Sequence, residues 1–392
     1  MQSSADPALL RLYPLPIYTA AVIPSLENLD WRSFLRRPAV SPPRQEVLDG
    51  LRRDPILITG AGGSIGSALA LRLGALGSQK LVLLEASESN LYALERDWAV
   101  ALETNPRSAS PMTPILGSAG DMALLQEVFA THMPRLVFHA AAFKHVPLME
   151  EHPLAAIANN IFATEILTQV AEAHGARVIL LSTDKAVEPA SVMGATKRVA
   201  EQIVLASGGT VLRLGNVLAS RDSVAEIFAR QIAQGGPVTV TDPAARRYFL
   251  TLDEAVNLLL AAAMVEPPAL LAPSLTATHF IADLARFMAN ELAPDRDLAI
   301  EFTKTRPGDK DTELLWSAGD ETRSVGRSGL VSIKPSLQSP QQLDAELAGL
   351  RAALDARDLA DALAALRALV PNYTPSAAVL ALARQSSPQV TR

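Results

Sequence analysis

The sequence predicts an α/β fold, a doubly wound parallel sheet followed by a smaller C-terminal lobe and a terminal helical segment. Three observations predict it. An apolar run, Pro55 to Thr59, passes at once into GAGGSIG and then into a helical pattern from Ser64 to Leu76, the order strand, glycine turn, helix. Apolar runs then recur between amphipathic stretches, as strands buried on both faces of a parallel sheet do. Beyond Leu214 this alternation breaks up into shorter runs, and after about Ser336 it gives way to an Ala/Leu/Asp/Arg-rich stretch with helical spacing.

Taken in order, residues 1 to 53 are Pro-rich and irregular, with a short helical pattern near Gln45 to Leu51, and read as an arm lying on the body. After the first strand and helix, KLVLLE ending in Glu85 is the second strand, Ser87 to Thr104 a helix and Met112 to Gly117 the third strand. Asp121 to His132 is helical, Leu136 to His139 is the fourth strand, and one long helix is expected from Leu154 to His174. Val178 to Leu181 is the fifth strand, followed by a helix from about Met193, and Thr210 to Leu214 is the sixth. A short strand in PVTVTD, helices over Leu252 to Val265 and His279 to Leu292, and a strand over Leu298 to Thr303 follow. A helix pair closed by VPNYTPS is expected at the end, and no internal repeat is present. The expected units are the arm (1–53), a glycine-turn unit (54–215), a substrate lobe that can interleave with it (216–335), and the helical segment (336–392).

Composition narrows the function classes. The chain has 392 residues and a net charge of -6, with basic residues scattered, which argues against a nucleic-acid or membrane-surface protein. It has no cysteine, which excludes disulfides, thiol catalysis and Cys-based zinc sites, and no metal is expected. No segment reads as the roughly 20 apolar residues of a membrane span. The N-terminus is interrupted by Pro14, Pro16 and Pro24 and does not read as a signal peptide, so a cytoplasmic location is expected.

Two stretches carry chemistry. Gly60, Gly63 and Gly66 stand in the spacing GxxGxxG, with Ser64 and Ile65 opening the helix. Such a turn brings a backbone without Cβ atoms, and a helix N-terminus with free N–H groups, to a diphosphate. Glu85 ends the next strand, where a carboxylate grips a ribose 2'-hydroxyl, and no Arg or Lys within Ala86 to Leu94 meets a 2'-phosphate. That favours NAD over NADP, against the plainer reading of Glu85 as a solvated strand end. The second stretch, LSTDKAVEPASVMGATK, gathers Ser182, Thr183, Asp184 and Lys185 where a strand gives way to a loop, with Met193 and Lys197 one helical turn apart. Chemistry in parallel sheets sits at such junctions. An ion pair at a strand end and a core methionine are the plainer alternatives.

Seven separated segments resemble one family: TGAGGSIGS, SESNLY, FHAAAFKHVPLMEEHPLAAIANN, LSTDKAVEPASVMGATKR, RLGNVLAS, GGPVTVTDPAARRYF and TRPGDK. In order and spacing they are similar to the polysaccharide-biosynthesis branch of extended short-chain dehydrogenases, which contains nucleotide-sugar 4,6-dehydratases. The resemblance implies a Rossmann-type sheet, bound NAD, a UDP-sugar substrate, typically UDP-N-acetylglucosamine, and, by default, a homo-oligomer. Many members carry N-terminal membrane spans; this chain reads as a free-standing version. In the implied reaction hydride leaves C4, the ketone acidifies C5, water is lost across C5 and C6, and hydride returns to C6.

The resemblance also implies roles. Asp184 protonates the departing C6 hydroxyl, and Lys185 takes the C5 proton, for which its pKa is expected to be lowered by a desolvated pocket against the attraction of Asp184. Both reach one sugar only if the strand has ended there. Met193 stands where most relatives have the tyrosine of YxxxK, and a thioether cannot accept the C4 proton. Thr183, Asp184 or a water is left to do so, and the Met variant resembles dehydratases that retain configuration at C5. Lys197 is expected on the nicotinamide ribose, and Ala140 and Ala141 beside the cofactor. Lys144 and His145 are expected where nicotinamide and sugar meet, Asn160 near a water by the lysine, and Asn216 on sugar or diphosphate. Arg247 and Arg306 are candidates for the UDP diphosphate, with surface salt bridges the alternative. Two departures stand out: Gly117-Ser118 where relatives have Gly-Asp, and ASRDSV after GNV, which places Arg221 and Asp222 near the expected substrate diphosphate. A nucleotide-sugar 4-epimerase and a non-catalytic cofactor-binding scaffold are the competing readings.

Overall fold

The computed structural model describes residues 25–104, 110–266, 268–275, 277–326 and 329–386. The expectations placed on residues 1 to 24, an irregular arm without a signal peptide, lie outside the described residues. Helix α1 (Trp31–Leu35) and helix α2 (Gln45–Leu51) precede an alternation of strand and helix. It runs β1 (Pro55–Thr59), α3 (Ser64–Ala75), β2 (Lys80–Glu85), α4 (Glu88–Thr104), β3 (Met112–Leu116), α5 (Met122–His132) and β4 (Leu136–His139). Helices α6 (Val146–Glu151), α7 (Pro153–Ile157) and α8 (Ala163–Ala173) lead to β5 (Arg177–Thr183), α9 (Val192–Ala206) and β6 (Thr210–Leu214).

The lobe is built from β7 (Asn216–Val217), α10 (Val224–Ala233), β8 (Val238–Val240), β9 (Arg246–Arg247) and β10 (Phe249–Leu250). The chain returns to the main sheet through α11 (Leu252–Ala262) and β11 (Leu270–Pro273). It re-enters the lobe for β12 (His279–Phe280), α12 (Ile281–Leu292) and β13 (Ile300–Phe302), and comes back as β14 (Thr322–Ser324) and β15 (Leu330–Ile333). Helices α13 (Pro340–Asp355), α14 (Leu359–Leu369) and α15 (Ala377–Ser386) end the described chain.

The main sheet has nine strands in the order β14-β15-β11-β6-β5-β4-β1-β2-β3. The pairs from β11 through β3 are parallel, and β15 and β14 add antiparallel pairs at one edge. The doubly wound parallel sheet is therefore present, with an edge that the sequence reading lacked. Strand order reverses between β1 and β4, and the crevice at their carboxyl ends is where such sheets bind ligands.

Three apolar cores hold this frame. One surrounds the sheet, with Leu57, Ile58, Leu83 and Leu180 fully buried. A second forms where Leu350, Leu363 and Leu366 of the terminal helices cover Ile161, Val199 and Ile203. The third lies in the lobe, where α1 contributes Trp31 and Phe34 beside Phe228, Phe249 and Met288. Phe34 meets Phe249 at 5.8 Å and Phe287 at 5.4 Å between ring centroids, so the arm is part of the lobe's core.

Two helical expectations need correction. The run from Leu154 to His174 is not one regular helix: a π-helical turn, Ala158–Phe162, lies between α7 and α8. The wider turn leaves carbonyls in need of donors, and Thr164 Oγ1 donates to Asn160 O at 2.7 Å. The same run, Pro153–Ala173, is long and apolar enough to cross a membrane by length and composition, with mean hydropathy 1.2 over a window 61% buried in the fold. The terminal helix pair is followed by a third helix, α15.

Candidate active site

The glycine turn is close-packed at the switch point. Gly60 has φ 66°, and a Cβ there would lie 2.6 Å from Ala141 N, so only glycine lets β1 and the loop after β4 meet. A Cβ on Gly66 would lie 2.2 Å from Gly60 O. Helix α3 starts at Ser64 after Gly63 as N-cap, leaving its first N–H groups toward a cleft of ≈ 800 Å³. Glu85, 8% exposed, accepts hydrogen bonds from Gly62 N–H and Ser87 N–H, each at 2.9 Å, and also lines the cleft. Two tests of fit for a dinucleotide are met: a cradle that any Cβ would fill, and a carboxylate fixed at the end of β2. Ala140, Ala141, Ile65 and Ser118 line the same cleft. Asp121 instead caps α5, accepting from Leu124 N–H.

Opposite this turn, β5 ends at Thr183 and a 3-10 turn, Asp184–Ala186, begins at once. The strand has therefore ended before Asp184 and Lys185, which frees their side chains from the opposite faces that a strand imposes. Asp184 Oδ1 accepts from Thr183 Oγ1 at 2.9 Å and from Lys185 Nζ at 3.0 Å. Lys185 Nζ also donates to Asn216 Oδ1 at 3.1 Å. Thr183, Lys185 and Asn216 line the cleft, whereas Asp184 is fully buried behind them, and its Oδ2 has no hydrogen-bond partner among the described residues.

Lys185 corrects an expectation. Burial works against its charge, but Asp184 and then Glu313 outweigh it, and its pKa is raised rather than lowered. Glu313, 2% exposed and 3.9 Å from Lys185 Nζ, is a site residue that the sequence reading missed. It pairs with Lys310 at 2.7 Å, and nothing in its polar loop marks it out from the neighbouring acids.

Helix α9 brings Met193 and Lys197 to the same cleft. Ser191 caps it, accepting from Gly194 N–H at 3.1 Å. A Cβ on Gly194 would lie 2.3 Å from Lys185 O, so this glycine lets the helix approach the 3-10 turn. Burial lowers the Lys197 pKa to about 8, with Glu201 opposing, and its Nζ meets no hydrogen-bond partner among the described residues. Glu201 is engaged elsewhere: it accepts from Ser182 Oγ at 2.6 Å, from Arg213 at 2.8 and 2.7 Å and from Arg198 at 2.9 Å. Under the cleft floor, burial and then Lys197 push His139 down to about 3; its ring nitrogens meet Thr59 Oγ1 and Thr164 Oγ1 at 2.6 and 2.9 Å.

The remaining sequence-derived residues separate. Lys144 and His145 line the cleft; Lys144 Nζ donates to Arg221 O at 2.6 Å, and His145 Nε2 stands 3.9 Å from Asp222. Asn160 is a correction. It is 1% exposed, accepts from Phe143 N–H and donates to Phe143 O and Thr196 Oγ1, so it anchors the loop after β4 while Asn159 lines the cleft. Arg247 lines the cleft, but its guanidinium donates to the main-chain carbonyls of Arg246, Lys310 and Asp311. Arg306 also borders it, half paired with Asp309 at 2.8 Å. Arg221 is bound to the glycine turn, donating to Gly62 O at 2.8 Å, rather than standing free for a substrate.

Residues 56–335 match the family described as "Polysaccharide biosynthesis protein". The capsular polysaccharide biosynthesis protein CapD of Staphylococcus aureus is 36% identical over 306 residues, 76% of this chain and 50% of the relative. The chain thus spans half the length of that relative. A UDP-glucose 4-epimerase of Rickettsia canadensis is 32% identical over 283 residues, 69% of this chain and 79% of the relative. Among solved structures, Pen from Bacillus thuringiensis superposes with a TM-score of 0.65 at 22% identity, covering 76% of this chain and 98% of Pen, which speaks for the fold alone. The glycine turn, the paired strand-end residues and α9 all fall inside the matched span, and the chain belongs to the polysaccharide biosynthesis protein family.

Proposed function

We propose that the chain binds NAD and removes water across C5 and C6 of a UDP-linked N-acetylhexosamine, UDP-N-acetylglucosamine first, with configuration at C5 retained. The observation that carries this reading is the contact set Thr183–Asp184–Lys185, at 2.9 and 3.0 Å, beside a thioether at Met193. NAD supplies the hydride acceptor at C4 and the donor at C6. Gly60, Gly63, Ser64 and Gly66 would hold its diphosphate, Glu85 its adenosine ribose and Lys197 its nicotinamide ribose.

The protons balance among this chain's own residues. Thr183 borders the cleft and its Oγ1 donates to Asp184, so it takes the C4 hydroxyl proton and passes it to the carboxylate. Asp184, now neutral, no longer holds the Lys185 charge, and burial then drives the ammonium to release a proton toward Glu313. The free amine takes the C5 proton and returns a proton to the same face, which retains configuration. The proton on Asp184 leaves through Thr183 with the C6 hydroxyl as water. Met193 takes no part in proton transfer.

A second reading, a 4-epimerase, is favoured by the name of the Rickettsia canadensis relative. It needs hydride transfer at C4 only, and leaves Lys185 without a proton to move. Incubation with UDP-N-acetylglucosamine in D2O separates the two. Loss of one water with deuterium at C5 and retained stereochemistry is the expected result. An isomer of unchanged composition supports the epimerase, and no product across several UDP-sugars sinks both.

A further inference from the structure

The loop between β7 and α10 reaches back across the cleft to the glycine turn. Arg221 N–H donates to Ser64 Oγ at 2.9 Å, and Arg221 Nη1 donates to Gly62 O at 2.8 Å and to Asn90 Oδ1 at 3.0 Å. From the other side Lys144 Nζ holds Arg221 O at 2.6 Å, and Asp222 N–H donates to Glu226 at 2.5 Å. Ala219 and Asp222 sit at φ 58° and 55°, a left-handed conformation that non-glycine residues adopt only when neighbouring contacts hold them there. Gly62 itself is fixed at both ends, its N–H on Glu85 and its carbonyl on Arg221, and a Cβ on it would lie 2.7 Å from Asn90. Neither Nε nor Nη2 of Arg221 meets a hydrogen-bond partner among the described residues, and the residue lines the cleft.

We propose that Arg221 is a cofactor-retaining residue: it bridges the cleft from the lobe to the stretch Gly62 to Ser64, and presents its unused guanidinium edge to the dinucleotide's diphosphate. The inference rests on the NAD reading above. A reaction that takes hydride from the substrate and gives it back needs a cofactor that stays through many turnovers. The turn alone supplies N–H groups, which orient a diphosphate. The bridge adds a cation and a closure that has to open before the cofactor leaves. Its anchors, Gly62, Ser64 and Asn90, all belong to the glycine turn and the first turn of α4, which assigns the diphosphate to the dinucleotide rather than to the sugar nucleotide.

The full chain is loaded with NAD and desalted, and the bound NAD remaining is followed over time; UDP binding to the loaded chain is measured by calorimetry. Arg221→Ala should release NAD about tenfold faster or more, as the loss of two hydrogen bonds and a charge contact implies. Asn90→Ala, which removes one anchor, should fall between the two, and UDP affinity should stay within about twofold of wild type for both. Release from both variants at the wild-type rate overturns the proposal. So does a fall in UDP affinity with NAD release unchanged, which would give Arg221 to the sugar nucleotide. If Arg221→Ala does not fold, Asn90→Ala decides alone. A wild-type chain that takes up no NAD removes the dinucleotide reading itself, whereas one that holds NAD as Arg221→Ala does removes only the bridge.

Discussion

Two lysines line one cleft, and burial works against the charge of both, yet their basicities move in opposite directions. Lys185 is raised and Lys197 is lowered to about 8. Each has a carboxylate close by; what differs is how many there are and how they are already engaged. Glu201 is held by Arg213 in a two-point contact, by Arg198 and by Ser182, and although burial alone would raise it, these donors bring it down to about 2. Among the described residues Asp184 accepts only from Thr183 and Lys185, and Glu313 adds a second negative charge at 3.9 Å. The strand end thus keeps its lysine charged, while the helix face offers the cleft a lysine with no hydrogen-bond partner among the described residues. The first suits proton transfer and the second suits holding a neutral hydroxyl.

The largest effect is expected from removing the strand-end lysine. Lys185→Ala should lower turnover by about 10²–10⁴-fold, the usual worth of a positioned proton carrier, with NAD content unchanged. Full activity in that variant would remove Lys185 from the mechanism and leave the contrast between the two lysines without consequence. Next in size is Glu201→Gln, which strands the Arg213 charge among buried groups and should cost about 3–5 kcal/mol of stability, read from denaturant midpoints. Because Glu201 is held down to about 2, its contribution is present above its unfolded-state value, ordinarily near ~4.3, and is lost as pH falls toward 2. The gap between wild type and variant should close across that acid window. A gap that persisted to pH about 2 would show that the network acts through packing rather than charge.

What the sequence made legible was local. The glycine spacing, Glu85 at a strand end, and the run Thr183 to Lys185 followed by Met193 and Lys197 are each contained in one turn or one element, where spacing dictates geometry. Three kinds of feature were not legible. Strands β11, β14 and β15 are only three or four residues long and depend on pairing across the sheet rather than on periodicity. The π-helical turn adds a wider loop of backbone without disturbing the apolar stripe on either side. The partners that set the lysines apart, Glu313, Arg213 and the returning Arg221, meet the site only through the tertiary fold. The direction of the Lys185 shift belongs with them: its desolvation is opposed by Asp184, its neighbour in sequence, and also by Glu313, which comes from beyond the lobe strands.

That second carboxylate gives a finer test of the same contrast. Glu313→Gln removes one of the two charges that raise Lys185, so the amine should form at lower pH. If the amine is the C5 base and Glu313 accepts its proton, the rise of kcat with pH should move to lower pH and the plateau should fall. A limb that stayed in place would mean that Asp184 alone sets the lysine's basicity, or that another group governs the step.

The smallest expected effect is a slope, and it probes the other lysine. Burial holds Lys197 down to about 8, whereas in the unfolded chain it titrates near the ordinary lysine value of ~10.4. Between those values the unfolded chain binds the extra proton, so the stability contributed by this group rises with pH across the window and is flat below it. Lys197→Met abolishes the titration. In the cofactor-free chain the melting-temperature difference between wild type and Lys197→Met should therefore drift in favour of wild type from about pH 8 to about pH 10. A level difference would mean that Lys197 keeps an ordinary basicity through a carboxylate it can engage, and the two lysines would then differ in position but not in kind. Adding NAD sharpens the result: a ribose hydroxyl that accepts from the ammonium favours the charged form, which should shift the onset of the drift to higher pH.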